Sequence, residues 1–156
     1  MECRTFEITL ISANNLERLT WLLRMKVYAT VSICGATEVQ RRSPTDWHGG
    51  SNPAWNFTAR YNLNEQQVQH FGTMLVVKLF SWRRLACDRY IGEVHTSLKE
   101  LFDIAEAGGG SAVLTLPVQI GSANSQGAVR FSYRFGERVS IDKMLLAESL
   151  AGWSHC

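Results

Sequence analysis

Apolar and polar residues alternate one for one along most of this chain, and that period of two limits what it can fold into more than any other feature. Phe6, Ile8 and Leu10 alternate with Glu7 and Thr9, and Val27, Ala29, Val31 and Ile33 alternate with Tyr28, Thr30 and Ser32. Trp55, Phe57, Ala59, Tyr61 and Leu63 form a third row, and Val129, Phe131, Tyr133 and Phe135 a last one. Successive side chains of a strand point to opposite faces, so each row predicts a strand with one buried side. Residues 74–80 read as a nearly continuous buried strand, 91–98 and 112–120 as two more, and 39–41 as a short polar edge strand. One stretch ahead of the tail has helical spacing: Leu98, Leu101, Phe102 and Ala105 share a face, and Ser97 with Glu100 suggests a capping box. The expected fold is all-β, an eight-stranded antiparallel sandwich with one short helix.

A length of 156 residues suits one domain, and 46% hydrophobic with 19% charged residues is the composition of a globular chain. Residues 1–136 are assigned to the sandwich and 137–156 to a C-terminal tail, whose apolar spacing from Ser140 through Trp153 suggests a short helix. Glu2 and Arg4 precede any apolar run, unlike a secretory signal, and no stretch reaches the roughly 20 apolar residues of a membrane span. Cys3, Cys34, Cys87 and Cys156 form no CxxC pair and are expected to be structural thiols. The expected location is cytoplasmic.

Function is sought where charge departs from the whole-chain value of +2. Residues 18–26 hold Arg18, Arg24 and Lys26 and no acid, while residues 81–92 hold Arg83, Arg84 and Arg89 against Asp88. Both are connections between expected strands. The first also contains Trp21, Leu22 and Leu23, and the second Leu85. Large apolar residues ringed by cations have the composition of a peripheral membrane contact. The competing reading folds Trp21, Leu22 and Leu23 back onto the sandwich edge and leaves the cations merely solvated.

Other chemistries lack their residues. His48, His70, His95 and His155 are dispersed, without HExxH or paired Cys/His spacing, so zinc is not expected. GxSxG, GxxxxGK and GxGxxG are absent, and enzyme activity is not expected. The arginines lack an aromatic stacking series, which argues against nucleic acid.

Three stretches, ITLISANNL followed by MKVYATVSI, then GGSNPAWNF, then LVVKLFSWRRLACDRYIGEV, together resemble a C2 domain, in particular the small single-C2 proteins of plants of cold-responsive and defence-associated types. The resemblance spans residues 5–135. It implies the second C2 topology, in which the equivalent of the other class's opening strand comes last. It also implies where calcium-binding aspartates would stand: Thr20 and Lys26 in the first connection, Ser81, Arg83 and Arg89 in the third. None is an acid and three are cationic, so no calcium and no other cofactor is expected. The function implied is calcium-independent docking to anionic phospholipid, peripherally at the plasma membrane, in plant stress or defence signalling. The residues would be Arg18, Trp21, Leu22, Leu23, Arg24, Lys26, Arg83, Arg84, Leu85 and Arg89. The alternative is an adaptor that uses the same surface to bind a membrane-associated protein, such as a larger C2 protein, to regulate cell death or immunity.

Overall fold

The computed structural model describes residues 2–18, 24–34 and 37–140. The strands in chain order are β1 (Glu2–Asn14), β2 (Val27–Cys34), β3 (Thr37–Arg42), β4 (Ala54–Asn64), β5 (Met74–Ser81), β6 (Arg89–Ser97), β7 (Ser111–Ile120), β8 (Ala123–Phe135) and the two-residue β9 (Val139–Ser140). Helix α1 (Glu65–Gln69) follows β4, and α2 (Leu98–Ala107) follows β6. Every pairing is antiparallel, in the order β3-β2-β5-β6-β7-β8-β1-β4 with β9 against β1. A single residue pair, Glu93 with Gln119, joins β6 to β7, so the sheet curls there into two facing layers. The last long strand, β8, lies beside β1, as the second topology implies.

The alternating rows meet between the layers. Phe6, Ile8 and Leu10 of β1 and Phe131 of β8 are fully buried, as are Val27, Val31 and Ile33 of β2 and Leu75, Val77 and Leu79 of β5. Each side chain of that size contributes about 1.5–3 kcal/mol when buried. Polar atoms cross the core where they find carbonyls: the Tyr61 hydroxyl donates to Val31 O at 3.1 Å, tying β4 to β2, and the Trp55 indole N–H donates to Val27 O at 3.0 Å. The Tyr133 hydroxyl donates to Leu101 O at 2.7 Å and pins α2 to β8. Burial pushes both Tyr61 and Tyr133 up to about 12.

Helix α2 forms over the expected residues, with one local difference: the Ser97 hydroxyl accepts from the Lys99 N–H at 3.2 Å instead of joining Glu100 in a reciprocal box. The reciprocal box belongs to the unexpected α1. There Asn64 Oδ1 accepts from the Gln67 N–H at 2.8 Å, and Gln67 Oε1 accepts from the Asn64 N–H at 3.1 Å. Beyond residue 136 the chain stays on the sheet, Val139 and Ser140 pairing with Cys3 and Glu2. The tail helix expected from Ser140 falls on residues 141–156, outside the described residues.

The cysteine expectation is corrected. Cys34 and Cys87 are free and exposed, but the fully buried Cys3 is disulfide-bonded. No helix among the described residues is long and apolar enough to cross a membrane.

Register collects three connections at one end of the sandwich: the first between β1 and β2, the second between β3 and β4, the third between β5 and β6. Val27 opens β2 opposite Ser81, which closes β5, and Ser81 lies opposite Arg89, which opens β6. A bridge from Val27 to Asp46 draws in the second connection, and the Leu16 N–H bonds to Ser51 O at 3.0 Å.

Candidate functional site

The second connection is built around one carboxylate. Asp46 Oδ1 accepts from the N–H groups of His48 and Gly49 at 3.0 and 3.2 Å, and Oδ2 accepts from the Ala54 N–H at 2.9 Å. Burial would raise its pKa, but these three donors outweigh it and hold Asp46 below the usual carboxylate range. Gly49 leaves the room this needs, since a Cβ there would stand 2.3 Å from Asp46 Oδ2.

Asp88 has a comparable role in the third connection. Oδ1 accepts from the Arg83 N–H at 3.1 Å and Oδ2 from the Tyr28 hydroxyl at 2.5 Å. The Tyr28 hydrogen bond is the main reason why Asp88 sits below its ordinary pKa, with Arg42 and Arg83 adding to it. Tyr28 itself is shifted up, by burial first and then by Asp88. Arg42 stacks over the Tyr28 ring at 3.7 Å, so this carboxylate is tied to the foot of β2.

With Asp88 engaged there, the space between the first and third connections is left to cations. Arg24, Lys26, Arg83, Arg84 and Arg89 line one cavity of about 600 Å³ together with Ser81 and Leu85, and no acid lines it. Arg83, Arg84 and Arg89 are exposed, and Leu85 stands 93% exposed. Arg24 also lines a neighbouring cavity of about 520 Å³ with Arg18 and the second connection, where its Nη1 donates to His48 O at 3.1 Å. The structure thus brings Arg18, Arg24, Lys26, Arg83, Arg84, Leu85 and Arg89 to one end of the molecule. Trp21, Leu22 and Leu23, and the family calcium position Thr20, lie outside the described residues.

Two aromatics at this end of the molecule were not singled out from the sequence. Lys26 Nζ sits 5.9 Å from the centre of the Trp47 ring and 5.4 Å from that of Trp82, and the two indoles meet edge to face at 4.9 Å. Trp47 remains 47% exposed, so the contact joins all three connections without hiding its aromatic surface. The available signal was position alone: each tryptophan falls in a connection next to an expected strand.

Among the described residues, the family's calcium positions carry no carboxylate. That ion takes six to eight oxygens at about 2.3–2.6 Å. Of the family's positions, Lys26, Arg83 and Arg89 present cations and Ser81 one hydroxyl, while Asp46 and Asp88 already accept hydrogen bonds on both oxygens. Among the described residues no three His, Cys, Asp or Glu side chains stand together as a metal site.

The sequence model of the C2 domain family matches residues 4–112, more than half of the chain. Over 89% of its length the chain is 36% identical to protein SRC2 of Glycine max, and over 96% it is 25% identical to the 16 kDa phloem protein 1 of Arabidopsis thaliana, of which it covers 94%. It spans 48% of the soybean protein and 42% of an SRC2 homolog of Arabidopsis thaliana, about half the length of these relatives. Among solved structures, a C2 domain of plant extended synaptotagmin 1 superposes with a TM-score of 0.71, covering 87% of this chain and 96% of that one at 12% identity. That likeness shows the fold.

Proposed function

Because the chain belongs to the C2 domain family, whose members generally bind membrane phospholipids or proteins, we propose that it is a non-catalytic module that docks to anionic phospholipid membranes without calcium. The observation that carries this reading is the cavity between the first and third connections, lined by five cations and no acid, with Leu85 standing out beside it. In a calcium-binding relative of this fold, bound ions would make the loop end positive. Here Lys26, Arg83 and Arg89 hold that charge permanently.

Magnitudes support reversible docking. A cation near an anionic leaflet contributes about 1 kcal/mol, and an inserted leucine about 1–2 kcal/mol, before ordering costs. The six cations at this end, counting Arg18, therefore supply several kcal/mol, screened by salt over a Debye length of about 8 Å. Trp47 is an amphipathic ring suited to the headgroup layer. The setting proposed with the docking is the plasma membrane, in plant stress or defence signalling.

Sedimentation with phosphatidylserine or neutral liposomes, in chelator and in excess calcium, tests the reading. Expected is binding to anionic liposomes alone, unchanged by calcium and weakened by salt. Binding only when calcium is added, or equal binding to neutral liposomes, would overturn it. A second reading, an adaptor for a membrane-associated protein, is favoured by the exposed Trp47 beside the arginines, since aromatic and arginine side chains anchor protein interfaces. Capture of a defined partner by a variant that no longer binds liposomes would support it.

A further inference from the structure

We infer that α2 of one chain docks on the outer face of the β7-β8-β1-β4 layer of a second copy, so that the protein associates with itself through its flank and keeps the loop end free. The inference is independent of the lipid reading, because neither surface includes a residue of the three connections.

The receiving face is a floor of small residues set among arginines. Register aligns Val113, Ser132, Thr9 and Thr58 in one row across the four strands, and Ser111, Arg134, Glu7 and Arg60 in the next. Arg130 stands on the other side of the first row, opposite Thr115. Three arginines against one carboxylate give this face a net charge of +2: Arg60 and Arg134 share Glu7 at 3.3 and 3.7 Å, and Arg130 is exposed with no ion pair among the described residues. Val113 is 53% exposed and lines a recess of about 270 Å³ with Thr9, Ser132 and Arg134. That space is below the roughly 300–1,000 Å³ of small-molecule sites, yet it admits a branched aliphatic side chain.

Helix α2 offers the complement. Its buried stripe is Leu98, Leu101 and Ala105, and on the opposite side Glu100, Asp103, Ile104 and Ala107 form an exposed stripe at spacings of three and four. Ile104 is 46% exposed. One exposed isoleucine is ordinary on a surface, but this one stands among acids. Glu100, Asp103 and Glu106 against the single cation Lys99 give the helix a net charge of −2, even with Lys99 held 2.7 Å from Asp103. The stability of the helix does not account for these acids. Glu106 sits in the last turn, where the carbonyl ends favour a cation, and no basic residue stands there.

Dimensions agree. Ten residues at about 1.5 Å each make a rod of about 15 Å, and four strands about 4.8 Å apart span about 14 Å. With Ile104 in the recess beside Val113, the acids flanking it come within reach of Arg130 and Arg134, which flank the row of small residues. Such a footprint is well under the about 800 Å² that each partner buries in a standard stable complex, so the association is weak and sensitive to salt. The two patches are different surfaces, so the contact is heterologous: each chain gives its helix to one neighbour and its sheet to another.

Sedimentation velocity of the full chain without lipid tests this, at rising concentration and at low and physiological salt. Expected is an average mass that rises with concentration at low salt and falls back as salt is added. Arg130→Gln/Arg134→Gln and Glu100→Gln/Asp103→Asn should each weaken the association at least about tenfold. An equimolar mixture of the two variants should regain a two-chain species, because the acidic helix of the first meets the basic face of the second. Arg83→Gln/Arg84→Gln, at the loop end, should associate as the parent does, and thermal melting establishes that the variants are folded.

A parent chain that stays single up to about 1 mM would overturn the second copy as occupant and leave the face to an acidic helix of another protein. Association retained in either double variant would place the contact elsewhere and also overturn it. A mixture that stays single-chain would show that helix and face do not meet. None of these outcomes touches liposome binding, which stands or falls on its own test.

Discussion

Arginine serves opposite purposes at two places in this molecule. Arg4, on β1, is nearly buried: its Nε and Nη2 donate to the two oxygens of Glu65 at 2.6 and 3.2 Å, its Nη1 donates to Gly136 O at 3.1 Å, and its guanidinium lies 4.8 Å from the Phe102 ring centre. It locks α1, α2 and the end of β8 to the first strand. Arg83, Arg84 and Arg89 are exposed, point charge into one cavity and have no ion-pair partner among the described residues. Burying a charge is costly unless it is paired, so the paired arginine belongs to the fold. An exposed charge without a partner contributes little to folding and remains available to a ligand. Residue type alone does not separate the two roles; the neighbouring carboxylate does.

If that division is right, charge reversal at the loop end should give the largest effect, and only on binding. Arg83→Glu with Arg84→Glu replaces two attractive charges by two repulsive ones. At about 1 kcal/mol per charge this removes about 4 kcal/mol, roughly a thousandfold in affinity for anionic liposomes. Sedimentation reads the loss, and the urea midpoint should hardly move. Binding that survives would cancel the contrast.

The counterpart is Arg4→Ala, which leaves Glu65 half-buried without its cation. A loss of about 3 kcal/mol in stability is expected from urea unfolding, with liposome affinity per folded molecule unchanged.

Tyr28→Phe sharpens the comparison at an intermediate point, since it removes a hydrogen bond that anchors the third connection rather than a ligand contact. It should cost about 1 kcal/mol. It should also raise the pKa of Asp88 toward the ordinary range, which carboxylate NMR titration would detect.

What could be read in advance divides along the same line. Period-two rows such as Val27 to Ile33 and Val129 to Phe135 were legible because burial of one face is a local pattern, and every row became a strand. The charge excess in the first and third connections was legible as composition. That Asp88 turns toward Tyr28, 60 positions away, was not, because no local spacing encodes a contact made across the sandwich. The same holds for Trp47 and Trp82 around Lys26, three side chains from three connections. Helix α1 was missed for a different reason: five residues are too few for a helical period, and its signal was the Asn64–Gln67 capping pair. Trp21, Leu22 and Leu23, the most conspicuous apolar group in any connection, lie outside the described residues.

Acid separates the two arginine sites again. Glu65 is held below its ordinary pKa: burial would raise it, but hydrogen bonds from Arg4 and Gln69 and the Arg4 charge prevail. A carboxylate with a lower pKa folded than unfolded contributes stability above its unfolded pKa, and that contribution is lost as pH falls through the folded value. Urea midpoints from neutral pH downward should therefore fall more steeply for the parent chain than for Arg4→Ala, with the difference arising below about pH 4.3, the ordinary glutamate value. Parallel curves would show that the pair is not linked to folding.

The smallest effect tests the other half of the contrast. Arg83→Ala with Arg84→Ala removes side chains that are exposed and form no ion pair among the described residues, so stability should stay within about 0.5 kcal/mol of the parent. The sign carries the information. Five cations around one cavity repel one another, and deleting two relieves part of that repulsion, so the urea midpoint should rise slightly at low ionic strength. Salt should erase the gain, because screening reaches exposed charges first. A measurable loss instead would mean that these arginines hold the third connection together, and that the loop end is built for structure as Arg4 is.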